Sequence, residues 1–147
     1  MQIETIDHIG IRVTDLDHAM AFYALFGFKV IRKAGDDPVA VVMNDAGVEL
    51  NLVFNANDDN GGNNILMDVD TKYPGFTHVA FRVDSIAGSI RLLNENNIEI
   101  TQGPVKFGRG GHVSIFLRDP DRNTIELRGR EEDLSDLGGV ESYENEN

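Results

Sequence analysis

The chain has 147 residues, 41% hydrophobic and 26% charged, the size and composition of one globular domain that buries its own core, which excludes a multidomain machine. Thirteen basic residues against 25 acidic ones give a net charge of −12, which disfavours a phosphate backbone as partner, and zero cysteines remove disulfides, thiolate nucleophiles and sulfur-ligated metals. No apolar run approaches bilayer-spanning length, and Met1-Gln2-Ile3-Glu4 lacks the basic start and apolar stretch of a secretory signal, so no membrane partner and a cytoplasmic location are expected.

In chain order, Ile6 to Val13 alternates like a strand. Leu16, Met20 and Tyr23 mark the inner face of a helix that Thr14 is placed to cap and Gly27 to end. A strand Phe28 to Arg32 follows, then Val39 to Met43 and Val48 to Phe54 joined by the turn residues Asn44-Asp45-Ala46-Gly47. The polar stretch 56–73 reads as a surface loop, either a lid or a linker. Phe76 to Val83 then repeats the first strand at an offset of 70 residues, setting His78 on His8. A second helix carries Ile86, Ile90 and Leu93, with Asp84 as its expected cap and Asn97 as its stop. The strands Ile98 to Thr101, Val113 to Leu117 and Thr124 to Leu127 complete the repeat, the last two flanking Asp119-Pro120-Asp121-Arg122-Asn123. The expected organisation is α+β: one domain over 1–130, made of βαβββ repeats at about 3–55 and 74–129 joined by the linker 56–73. Residues 131–147, with seven acids and no base, read as a solvated, disordered tail.

His8 and His78 lie on the two first strands, Glu49 and Glu126 on the two last ones. Each glutamate sits between aliphatic neighbours, and a carboxylate facing a sheet interior is costly unless paired or bound to a cation. Two imidazoles and two carboxylates suit a divalent ion such as Zn²⁺, Ni²⁺, Fe²⁺, Mn²⁺ or Co²⁺ and leave coordination positions for water or a small-molecule substrate. Arg12, four residues beyond His8, falls on the same strand face, where it either holds a substrate carboxylate or pairs with a surface acid. Arg82 presents the same choice by repeat symmetry. His112, beside glycines, offers proton chemistry or is simply exposed, and His18 reads as an exposed helix residue.

Asp7-His8-Ile9-Gly10-Ile11-Arg12-Val13, Phe22-Tyr23 before Gly27-Phe28, Thr77-His78-Val79-Ala80-Phe81, Asp119-Pro120-Asp121 and Ile125-Glu126-Leu127 together resemble the vicinal oxygen chelate superfamily, over residues 3 to about 129. The resemblance implies curved sheets forming an open-barrel, metal-binding cleft, with His8, Glu49, His78 and Glu126 as ligands. Within that superfamily the chain is most similar to glyoxalase I. This implies a lyase or isomerase that abstracts a proton next to a carbonyl, with Glu126 first and Glu49 second as base. It also implies a hemithioacetal of glutathione as substrate, Lys106 of Gly103-Pro104-Val105-Lys106 and Arg12 near that substrate, and a homodimer. Val53 stands where glyoxalase I has an asparagine, and Arg122 replaces the glycine usual in its turn. Two other readings from the same resemblance are an extradiol ring-cleaving dioxygenase, built on two histidines and one glutamate, and a metal-free resistance protein that sequesters its ligand.

Overall fold

Alternating strands and glycine or asparagine stops build two βαβββ units in the computed structural model, which describes residues 1–107, 112–131, 137 and 139–143. The first runs β1 (Ile9–Arg12), α1 (Leu16–Tyr23), a 3-10 turn (Ala24–Phe26), β2 (Lys29–Lys33), β3 (Val39–Met43) and β4 (Glu49–Val53). The second runs β5 (His78–Arg82), α2 (Ile86–Glu95), β6 (Ile100–Phe107), β7 (His112–Arg118) and β8 (Thr124–Glu131), followed by β9 (Glu141–Tyr143). The chain is therefore α+β, as its pattern predicts. No helix among the described residues is long and apolar enough to cross a membrane.

The first sheet has the order β1-β4-β3-β2, with β1 parallel to β4 and the other pairs antiparallel. Strand alternation sends Ile11, Ala40, Val42, Leu50 and Leu52 to one face, where they are buried with Ala19, Phe22 and Tyr23 of α1. The second sheet has the order β5-β8-β7-β6-β9. Its core face carries Val113, Ile115, Leu117, Ile125 and Leu127 with Ile86 and Leu93 of α2, which packs against β7 and β8. In the second sheet the opposite face carries Ser114, Arg118, Thr124, Glu126 and Arg128 around Phe116, whereas in the first it carries Val39, Val41, Met43 and Val53 beside Glu49 and Asn51.

Both helices start one residue later than expected. Asp15 caps α1 by accepting from the His18 amide at 2.8 Å, and Ser85 caps α2 by accepting from the Gly88 amide at 2.9 Å. Thr14 is otherwise engaged: its hydroxyl and its amide donate to the two oxygens of Asp121 at 2.7 and 3.1 Å. The stops fall where the sequence put them, with Gly27 at φ 84° and Asn97 at φ 55°. β6 is longer than Ile98 to Thr101 because Gly103 to Lys106 continues it through a break in register between Gln102 and Val105. The tail is not wholly solvated: Glu141–Tyr143 pairs in parallel with Val105 to Phe107, and Leu137 is buried.

The turn Asp119–Arg122 joins β7 to β8 yet clusters with residues 1–64 as part of the first unit. Asp119 is only 3% exposed and accepts from the Tyr23 hydroxyl at 2.8 Å, besides the Asp121 amide at 2.9 Å. Burial first, then the Asp119 carboxylate, then Asp121, push the Tyr23 hydroxyl well above its ordinary range. Because the folded value lies above the unfolded one, the stabilisation is complete below about pH 10 and is lost as pH rises beyond it, at about 1.4 kcal/mol per pH unit. Tyr23→Phe is expected to cost about 2 kcal/mol at neutral pH and to flatten the alkaline fall. Melting temperatures between pH 8 and 11 would check this, and parallel curves for the two proteins would contradict it.

Candidate functional site

Both histidines are held the same way. His8 Nδ1 lies 2.7 Å from an Asp7 carboxylate oxygen, and His78 Nδ1 lies 2.9 Å from the Thr77 hydroxyl. In each case the residue just before the histidine engages the ring through Nδ1 and leaves Nε2 for another partner, the arrangement that orients a metal-ligating imidazole.

In the second unit His78 Nε2 stands 3.2 Å from Glu126 Oε2. Glu126 is 7% exposed, and its other oxygen accepts from the buried Ser114 hydroxyl at 2.6 Å and lies 3.7 Å from Arg128 Nη1. The strand register explains the cluster: Ala80, Glu126 and Phe116 are aligned across β5, β8 and β7, so all face the polar side, with Ser114 opposite Arg128 one step along. The His78 ring meets Phe116 edge-on at 5.9 Å, and Phe107 meets Phe116 at 6.2 Å. These rings form an apolar wall beside the imidazole and carboxylate. On the same face Arg118 pairs with Asp68 at 3.2 Å, both side chains largely buried, so the 56–73 stretch is tied to the second unit at that point.

In the first unit Ile9 is aligned with Leu50 and Gly10 with Asn51, which sets Glu49, Asn51 and Val53 on the face that carries His8 and Arg12. Glu49 is half-buried. Asn51 Oδ1 is buried without a hydrogen-bond partner, and Thr124 Oγ1 in the second unit is in the same condition. Arg82, aligned with Arg128, shares the Glu126 face.

Among the described residues no three His, Asp or Glu side chains form a metal-sized group. Within the second unit the structure joins His78 to Glu126. Lys106 is aligned with Val113, a core residue under α2, and therefore lies on the helix side of the sheet, away from Glu126. His112 is part-buried and its Nδ1 donates to the Gly129 carbonyl at 3.1 Å, which anchors the start of β7. His18 is exposed, as expected. Sequence reading missed Ser114, Arg128 and Phe116, although the lone serine in the apolar run Val113 to Leu117 was a usable signal, and it missed the shared support of the histidines, legible as Asp7 and Thr77 at the repeat offset.

A family model described as the "Glyoxalase/Bleomycin resistance protein/Dioxygenase superfamily" matches residues 5–127. The chain belongs to this superfamily. One member, "Glyoxalase domain-containing protein RDO1" of Mycosarcoma maydis, is 30% identical over 130 residues, covering 86% of this chain and 69% of its own. "Lactoylglutathione lyase GLX1" of Arabidopsis thaliana is 31% identical over 125 residues, covering 82% of this chain, which spans only 42% of that protein. In fold the chain resembles the crystal structure of a glyoxalase/dioxygenase from Nostoc punctiforme, with a TM-score of 0.68, 22% identity, and coverage of 87% of this chain and 92% of that one.

Members of this superfamily generally use divalent metals, and the donors present fit one. Two ligands at about 2.1 Å from an ion stand about 3.0 Å apart when at right angles, near the 3.2 Å between His78 Nε2 and Glu126 Oε2. The partnerless Asn51 oxygen is the kind of buried acceptor that a cation satisfies.

Proposed function

We propose that the protein is a metal-dependent lyase or isomerase of the glyoxalase type, acting on a small molecule with a carbon acid next to a carbonyl, most simply the hemithioacetal of glutathione and a 2-oxoaldehyde. The observation that carries the reading is the pairing of His78 Nε2 with a buried Glu126 whose other oxygen is fixed by Ser114. The lactoylglutathione lyases among the relatives support the substrate class. His8, His78 and Glu126 would hold the ion, with a fourth donor from the β4 face, where both Glu49 and Asn51 stand. A divalent metal there would acidify the substrate C–H bond and stabilise the negative charge left on oxygen.

The chain's own groups do the rest. Ser114 and Arg128 fix Oε1 of Glu126, so the carboxylate meets the substrate in one orientation. Glu126 takes the proton from one carbon and returns it to the neighbouring one, which turns a hemithioacetal into a thioester with no atom gained or lost. Phe116 and Phe107 exclude water on one side, while Arg12 and Arg82 supply positive charge, each on its sheet's face away from the core, for an anionic substrate tail.

The test is a screen of metal-loaded protein, prepared without chelator and reconstituted with Zn²⁺, Ni²⁺, Mn²⁺, Co²⁺ or anaerobic Fe²⁺, against methylglyoxal with glutathione, acyl-CoA epimers, and catechols under oxygen. Thioester formation is expected. Oxygen uptake with a catechol, alongside no thioester with any metal, would replace this reading by a ring-cleaving oxygenase. That second reading has a specific observation in its favour, since two histidines and a single well-supported carboxylate are the donor set of non-haem iron oxygenases. Metal analysis that finds no ion bound under any condition would instead favour ligand sequestration. A homodimer is expected by light scattering, and a monomer of full metal content would contradict that expectation.

A further inference from the structure

The two glutamates that look equivalent in the sequence occupy different places in their sheets. Met43 pairs with Glu49 and Arg118 with Thr124, so each hairpin encloses five residues, and the fourth of each five, Gly47 at φ 80° and Arg122 at φ 62°, is left-handed. The hairpins are therefore the same turn at an offset of 75 residues. At that offset Glu49 corresponds to Thr124, and the position corresponding to Glu126 is Asn51. The β1 and β5 pairings agree: Gly10 is aligned with Asn51 as Ala80 is with Glu126.

The surroundings have changed in step. Ser114, Phe116 and Arg128 beside Glu126 correspond to Val39, Val41 and Val53 around Asn51. A carboxylate at 51 would be a buried charge lacking the hydroxyl and the guanidinium that support Glu126, whereas a neutral amide costs far less there. Yet the amide is not satisfied either, because its Oδ1 is buried without a partner. A leucine would fill the same space at no such cost. An acceptor kept on the His8 face at that expense is explained if a cation completes it.

We propose that Asn51 Oδ1, rather than Glu49, is the first unit's metal donor beside His8, an inference that rests on the metal reading above. The set then carries one carboxylate, a bound divalent ion keeps a net charge of +1, and the site favours an anionic, two-oxygen ligand. Glu49 lies two residues along the strand, about 6.6 Å away, and remains a free carboxylate on the same face.

The experiment titrates the full chain with Co²⁺, following affinity and the visible d–d bands, and separately melts the metal-free protein. Asn51→Leu is expected to weaken Co²⁺ binding by about tenfold or more and to change the band intensities, while melting no lower than wild type because an unsatisfied polar group is gone. Asn51→Ala serves the same purpose if leucine disturbs folding, and Asn51→Asp is expected to tighten Co²⁺ by about tenfold. Wild-type Co²⁺ affinity and spectrum in both Asn51→Leu and Asn51→Ala would overturn the proposal, as would a larger loss in Glu49→Gln than in either. A wild-type protein that binds no divalent ion would fell the metal reading itself, and this inference with it.

Discussion

Glu126→Gln is expected to leave the fold standing and to remove about a thousandfold of the activity, together with at least tenfold of the metal affinity. The substitution keeps the shape of a side chain that is 7% exposed, and its amide oxygen can still accept from the Ser114 hydroxyl. What it loses is the negative charge facing His78 at 3.2 Å and the ability to take a proton. Glu126→Ala is expected to lose the same activity and stability as well, because the Ser114 hydroxyl is left buried without its partner. Steady-state kinetics on the substrate found in the screen, metal content and a urea melt on the same preparations separate these effects. Wild-type turnover in Glu126→Gln with full metal content would keep the site but take the proton transfer away from this residue.

The course of the chain was legible wherever a local rule decides it. Alternation placed β3 at the residues observed, and the two left-handed stops fell on Gly27 and Asn97 because those residue types tolerate a conformation that others resist. The repeat of His8 in His78 was equally plain, since each begins the same apolar strand. The α1 cap was missed by one residue because Thr14, a good cap by type, is drawn off by Asp121, which lies 107 residues away in sequence. No local rule carries such a contact.

The equivalence of Glu49 and Glu126 is an error of another kind. Val48-Glu49-Leu50 and Ile125-Glu126-Leu127 match letter for letter in character, and that match implies an offset of 77 residues. The turn geometry enforces 75, since strand register follows from how many residues a hairpin encloses and which of them is left-handed. A two-residue slip keeps a side chain on the same face and is therefore invisible to any argument from alternation. The extent of β6 was hidden for a related reason: the expected strand stops at Thr101, whereas the strand continues through Gly103-Pro104 and turns Lys106 toward the helix side.

That same segment carries the largest expected effect on stability. Gly103 sits at φ 96°, and a Cβ built on it would lie 2.6 Å from the Ser114 carbonyl oxygen and 3.2 Å from the Ile115 Cα. Both obstacles are backbone atoms in the middle of β7, paired on their far side with β8, so neither can swing aside as a side-chain tip would. Gly103→Ala therefore combines an unfavourable left-handed residue, about 1–2 kcal/mol, with overpacking of about 1–3 kcal/mol, and a loss of about 3 kcal/mol is expected in urea denaturation. The displacement falls on Ser114, whose hydroxyl holds Glu126 at 2.6 Å, so the surviving folded protein should also lose catalytic rate more than substrate affinity. The contrast is Gly10→Ala, where an added Cβ meets nothing within 4 Å, and which is expected to cost far less. Equal losses in the two variants would mean that β7 yields to Gly103→Ala, and that Ser114 does not depend on the close approach of β6.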